Sequence, residues 1–315
     1  MVDWQEIPQL FIRRRFDMGL ICESRRFFSE GVRLAADLYL PTDAPPPEGR
    51  PGVVMCHGYN GMKHLYLPDA AKCLVNAGYA VLCFDYKGWG ESDGPVRRLD
   101  PHGRVADVQA ALTILCAEPY INQSHIGLFG WSFGCSTAIW TASIDQRAKV
   151  VVGVVGVGDG ERWLESVWPA DKWQQLMQDS RDDRLQRART GKSSFVDRGR
   201  ILFLDAASQA KSLAARKAGG VNRDEIPLEF VDETIIFKAE WVVAKVSPRP
   251  LLLISCSNDQ VAPPYEMQAL YDAALEPKKL IILEGKGHYD VYSGPAFDSV
   301  MAETLVWLSS TFKLT

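Results

Sequence analysis

Gly130-Trp131-Ser132-Phe133-Gly134 is the stretch on which the reading of this chain turns. It follows a short apolar run, residues 126–129, and opens a segment of small and apolar residues, 133–144, with helical character. A strand that turns directly into a helix around a serine strains the serine backbone and brings the flanking chain close. Small residues are therefore needed two positions before and two after. Gly130 and Gly134 meet that need. The hydroxyl then stands above the strand end, and the helix start beneath it favours developing negative charge. A glycine-containing loop can hold the same five residues by chance, so the strand before and the helix after carry the weight.

Working outward, residues 20–28 and 32–40 are strand-like runs around Ser29-Glu30-Gly31, a β-hairpin pattern. Residues 43–51 are Pro-rich and polar, a surface loop. Apolar strands at 52–56, 79–84, 126–129 and 150–155 then alternate with helical patterns at 65–77, 101–117 and 133–144. In 101–117 the apolar positions Val105, Val108, Ala111, Leu112 and Leu115 share one helix face. Fully apolar strands alternating with helices predict an α/β fold, a mostly parallel central sheet with helices on both faces.

The alternation stops near residue 156 and resumes with a strand at 250–255, a helix at 265–274, a strand at 279–283 and a helix at 297–312. The charged, Trp-bearing interval is too long for a plain loop and is expected to be an inserted helical cap. The expected organisation is an N-terminal extension (1–17), a core domain (18–155 and 248–315) and a cap or lid (156–247). The extension, with Trp4, Leu10, Phe11, Ile12 and the Arg13-Arg14-Arg15 triplet, is offered to the cap or to a second copy as a homodimer contact.

A serine nucleophile needs a base, an acid behind the base, and donors for the oxyanion. Of the five histidines, His288 lies just after the last expected strand, at the carboxyl edge where sites of open α/β sheets collect. Asp259 follows strand 250–255 on the same edge and suits the acid that fixes the histidine tautomer. The order Ser132, Asp259, His288 is the one this arrangement uses. Asp85 competes, but it leads into Tyr86-Lys87-Gly88-Trp89-Gly90, a turn-forming stretch, and reads as a turn residue. His57-Gly58-Tyr59-Asn60-Gly61 follows strand 52–56, so the backbone N–H groups of Tyr59 and Phe133 are the expected oxyanion hole. His57 itself reads as structural.

These pieces resemble the α/β-hydrolase superfamily, close to esterase, dienelactone-hydrolase-like and X-Pro-peptidase-like members. The resemblance is carried by HGYNG, FDYKGWGESDG, GLFGWSFG, SPRPLLLISCSNDQVAPP and KKLIILEGKGHYD, over residues 30–155 and 246–313. Many relatives have Arg where this chain has Lys87, in a turn that is structural. The resemblance implies the α/β-hydrolase fold, a Ser-His-Asp triad, and hydrolysis of an ester, thioester, lactone or amide without a cofactor; the expected substrate is small to medium and largely apolar. The resemblance does not cover the cap.

In the cap, Trp163, Trp168 and Trp173, together with Trp131 in the elbow, are candidate substrate contacts, weighed against simple packing of the cap on the core. The basic residues between Arg181 and Arg200 are interleaved with Asp179, Asp182, Asp183 and Asp197 and read as a solvated face. The net charge of −4 gives no global field for nucleic acid. No apolar run reaches membrane-spanning length, and no signal-peptide pattern opens the chain. Seven cysteines without CxxC pairing suggest a reducing, cytoplasmic setting and no metal site. Alternatives that keep the same residues are an acyltransferase or chain-releasing thioesterase, a C–C bond hydrolase, and a ligand-binding protein without turnover.

Overall fold

The computed structural model describes residues 13–16, 19–221 and 224–313. Four strands open it: β1 (Arg13–Phe16), β2 (Leu20–Ser29), β3 (Val32–Pro41) and β4 (Arg50–Cys56). Helix α1 (Leu67–Asn76) then leads to β5 (Ala80–Phe84), α2 (Pro101–Ala117) to β6 (Ile121–Trp131), and α3 (Phe133–Ile144) to β7 (Val150–Val154). The inserted segment carries α4 (Gly160–Ser166), α5 (Ala170–Thr190), β8 (Phe195–Asp197), α6 (Ala206–Ala218), β9 (Glu225–Pro227) and α7 (Glu229–Ile235). Strand β10 (Leu251–Cys256), helix α8 (Pro264–Ala273), strand β11 (Lys278–Leu283) and helix α9 (Gly294–Phe312) complete the chain.

One sheet of nine strands runs β1-β2-β3-β5-β4-β6-β7-β10-β11. The strands from β5 to β11 in that order are parallel, and β1, β2 and β3 are antiparallel to their neighbours. The central strands β4, β5, β7 and β10 are buried throughout, as their mostly apolar sequences require. Helices α2, α3 and α8 cover one face, burying Val108, Leu112, Ile139 and Leu270. Helices α1 and α9 cover the other with Leu74, Val75, Val300 and Leu308.

Three details depart from the sequence reading. Residues Arg13–Phe16, assigned to an extension preceding the sheet, pair with β2 and form its edge strand; an unpaired strand edge offers backbone groups that a neighbouring segment satisfies. Residues 1–12, 17 and 18 lie outside the described residues, and most of the surface offered for dimerisation lies there. The inserted segment is not wholly helical, because β8 and β9 form a small antiparallel pair. It also shares its core with the sheet domain: Leu164, Leu176, Phe230, Val231 and Phe237 belong to the same buried cluster as the α2 and α3 residues.

Among the described residues no helix is long and apolar enough to cross a membrane. All seven cysteines are free thiols, and Cys56, Cys83 and Cys256 are buried in core strands.

Candidate active site

Strand β4 lies between β5 and β6, so the chain reverses its direction of travel across the sheet there. The loops leaving β4 and β6 consequently diverge from neighbouring strand ends, with Cys56 paired to Gly130, and a cavity opens between them. Ser132 sits at that point with φ 53° and ψ −127°, a conformation that costs a non-glycine residue about 1–3 kcal/mol. Surrounding hydrogen bonds hold it: Ser132 N–H donates to Val154 O at 2.8 Å, and Ser132 O accepts from Cys135 N–H at 2.9 Å. The flanking glycines are needed for space. A Cβ on Gly130 would lie 2.3 Å from Gly134 O, and one on Gly134 would lie 2.1 Å from Cys56 O.

Asp259 and His288 come from the ends of β10 and β11 on the same edge. Their side chains meet at 2.7 Å, Asp259 Oδ2 to His288 Nδ1, with both residues buried. Asp259 Oδ1 accepts the backbone N–H groups of Val261 and Ala262, each at 2.8 Å. This carboxylate is fixed by donors on one oxygen and presents the other to the imidazole. A carboxylate oxygen that accepts requires the proton of this contact on Nδ1, which leaves Nε2 as the ring nitrogen away from Asp259. Ser132 and His288 line one cavity.

The loop after β4 is held through its carbonyls by two buried arginines. Arg104, buried on α2, donates to Tyr59 O at 3.0 Å and to Gly58 O at 3.4 Å, and its guanidinium lies over Tyr86, 4.6 Å from the ring centroid. From the inserted segment, Arg216 donates to Asn60 O at 3.2 Å. The Gly58 and Tyr59 carbonyls are taken by Arg104, and among the described residues no acceptor holds the Tyr59 N–H. Phe133 is the first residue of α3, and the first four N–H groups of a helix have no partner within it. The Tyr59 ring packs edge-on against Phe133, Trp163 and Phe230, and its hydroxyl bonds Thr234, tying this loop to the inserted segment. Arg104 escaped the sequence reading because one charged residue on an apolar helix looks like any exposed position.

The cavity encloses about 620 Å³ of empty space including its open mouth. Trp131 and Trp163 line it, together with Leu65, Leu67 and Val261. Trp168 and Trp173 do not. Trp168 packs on Phe203 and donates to Ile201 O at 3.0 Å, while Trp173, on the long helix α5, is partly buried against the core cluster. The solvated-face reading of the basic stretch holds for Arg184, which pairs with Asp232, and for Arg200, which pairs with Asp179. It fails for Arg198, which follows β8 on a short turn and reaches the cavity.

Asp85 is spent on turns, accepting Lys63 N–H at 2.7 Å and Glu91 N–H at 3.0 Å. His57 is buried beside the cavity with Nδ1 against Gly58 O at 3.0 Å. Burial, reinforced by the Arg104 charge, holds its pKa well below the usual histidine value, so it is neutral. His64 contacts Gly219 O, His102 packs on Trp140 and Phe237, and His125 stacks on Phe312.

A doubly covered parallel sheet with a strained serine between β6 and α3 defines an α/β-hydrolase. The chain belongs to that family: residues 51–295 match the family model described as alpha/beta hydrolase fold. It is 31% identical over 267 residues to an Escherichia coli protein described as an uncharacterized 31.7 kDa protein in the traX-finO intergenic region, covering 83% of this chain and 92% of that one. It is 26% identical over 288 residues to the thiohydrolase aneE of Aspergillus aculeatus, covering 86% and 87%. It is also 26% identical over 277 residues to the polyketide transferase grgF of a Penicillium species, covering 84% and 89%.

Proposed function

We propose that this chain is a serine hydrolase that cleaves an ester or thioester of a small to medium, largely apolar acyl group through an acyl-enzyme on Ser132. The observation that carries this reading is the 2.7 Å contact of the buried Asp259 and His288 pair, facing the cavity in which Ser132 stands. In the first half-reaction His288 Nε2 takes the Ser132 proton as Oγ bonds to the carbonyl carbon. The oxyanion is received by the N–H groups of Tyr59 and Phe133. The imidazolium, held by Asp259, returns its proton to the leaving oxygen or sulfur, and the acyl group remains on Ser132. Water then attacks the acyl carbon with His288 again as base, releasing the acid and restoring the serine. The inserted segment acts as a lid over the acyl pocket, with Trp163 as its aromatic wall. The free thiols of all seven cysteines suit a reducing compartment such as the cytoplasm.

The similarity to a polyketide transferase supports a second reading, in which an alcohol or amine replaces water in the deacylation step. Product analysis in the presence of competing acceptors separates the two. Replacing Asp259 with Asn tests the relay behind the serine: it keeps the shape but allows the wrong His288 tautomer, and it should lower kcat on 4-nitrophenyl butyrate by about 10⁴. An Asp259→Asn protein with near-native kcat would remove Asp259 from the mechanism.

A further inference from the structure

The cavity is apolar along most of its wall and strongly donor-rich at one end. That end is built by the inserted segment, the loop after β11 and Tyr66, which directly precedes α1. Arg198 reaches this end with its side chain 11% exposed. Arg198 Nη1 donates to Ser212 Oγ at 3.1 Å, and its Nε is 4.0 Å from Asp224 Oδ1. Arg216 stands beside it, 2.7 Å from the same Asp224 oxygen. The Tyr66 hydroxyl is buried there without a partner among the described residues. Tyr289 joins this end to the chemistry: its ring is 5.4 Å from the His288 ring and 6.1 Å from the Tyr66 ring.

Two guanidinium groups brought together out of water repel each other, and their nearby carboxylate is half-exposed Asp224, shared between them. An anion bound between them would lower that repulsion. The setting is local, since the whole chain carries a net charge of −4. The Arg198 side chain makes a single hydrogen bond among the described residues, so most of its planar donor set remains for a bidentate acceptor. The stretch from Leu65 and Leu67 past Trp131 to Val261 offers the apolar contact that a short hydrocarbon spacer needs.

We propose that Arg198, assisted by Arg216, Ser212 and Tyr66, binds a carboxylate carried by the acyl group of the substrate, so that the substrate is a half-ester or half-thioester of a dicarboxylic acid. This rests on the hydrolase reading, with the scissile carbonyl at Ser132 and the carboxylate one apolar spacer away. The probe is a series of monomethyl esters from succinate to suberate, each paired with its dimethyl ester. Binding is measured by titration calorimetry on the Ser132→Ala protein, so that nothing is consumed. At least one half-ester should bind about tenfold or more tightly than its dimethyl partner. Arg198→Gln in the same background should erase that preference, and Arg198→Lys, a point charge without the planar fork, should keep part of it. No half-ester preference, or one that survives Arg198→Gln, overturns the proposal. Turnover by the native protein is read separately. Carboxylate preference without ester or thioester cleavage would leave the anion site standing and sink the hydrolase reading; cleavage without preference would do the reverse.

Discussion

Arg104→Met is the most informative single change in the scaffold of the site. Arg104 touches neither Ser132 nor His288 by any hydrogen bond; it holds Tyr59 O at 3.0 Å and Gly58 O at 3.4 Å and is buried against Tyr86 and Trp89. Methionine keeps much of the apolar stem and its contact with the two rings, and it removes the charge and both donors. A hydrogen bond from a charged donor is worth about 1.5–3 kcal/mol, and the longer one to Gly58 contributes less. Stacking of the guanidinium on the rings adds about 1 kcal/mol. Part of this is returned, because burial already penalises the Arg104 charge and lowers its pKa. The net expectation is a loss of about 2–4 kcal/mol in unfolding free energy by urea titration. The catalytic effect is separate. If the Tyr59 peptide rotates once its carbonyl is released, the proposed oxyanion donor at Tyr59 is lost, a loss of about 10²–10³ in kcat. KM for 4-nitrophenyl butyrate should change far less, since the acyl pocket is untouched. Arg104→Lys, which reaches one carbonyl and not both, should fall between. A folded Arg104→Met protein with kcat within about threefold of native would refute the claim that this arginine sets the oxyanion loop.

Two further predictions concern stability. His57 is held neutral in the folded protein and takes a proton near 6.5 when unfolded, so its contribution is fully present above that pH and is lost as pH falls through it, by up to about 1.4 kcal/mol per unit. Urea unfolding at pH 7.5 and 5.5 should therefore show the native protein losing about 1.4 kcal/mol more than His57→Asn; equal losses would contradict a neutral His57. Glu266, fully buried on α8, receives Arg162 through both oxygens at 2.7 and 2.8 Å and the backbone N–H groups of Gly158 and Asp159 at 2.9 and 3.0 Å. It clamps the point where the inserted segment leaves the sheet. Glu266→Ala should cost about 3–5 kcal/mol of stability, and a change below about 1 kcal/mol would show that the clamp is dispensable.

The central strands β5 and β7 were legible in the sequence because they are buried on both faces and therefore uninterrupted by polar residues. Strand β6 shows the limit. It begins at Ile121, but Asn122, Gln123 and Ser124 are polar, and only the stretch from Ile126 carried an apolar signal. The strained serine was legible for the same reason that it is possible: Gly130 and Gly134 are required by backbone contacts, and such requirements leave a fixed spacing. The site's supports were not legible. Arg104, Arg198 and Tyr66 stand at the site because of where the fold aims them, and no spacing distinguishes an inward arginine from a solvated one. The basic stretch before residue 200 spans a helix end, a short strand and a turn, so one helical-face argument could not serve all of it. Trp168 and Trp173 failed as cavity residues in the same way: size marked them as buried, and direction decided what they touch.

Covalent capture of the serine tests the central claim most directly. A fluorophosphonate should add one phosphonyl group per chain of the native protein, located by mass spectrometry on the peptide carrying Ser132, with loss of ester turnover in proportion to labelling. The Ser132→Ala protein should take up no label and turn over no ester. Labelling at another residue, or turnover that persists in Ser132→Ala, would contradict Ser132 as the nucleophile.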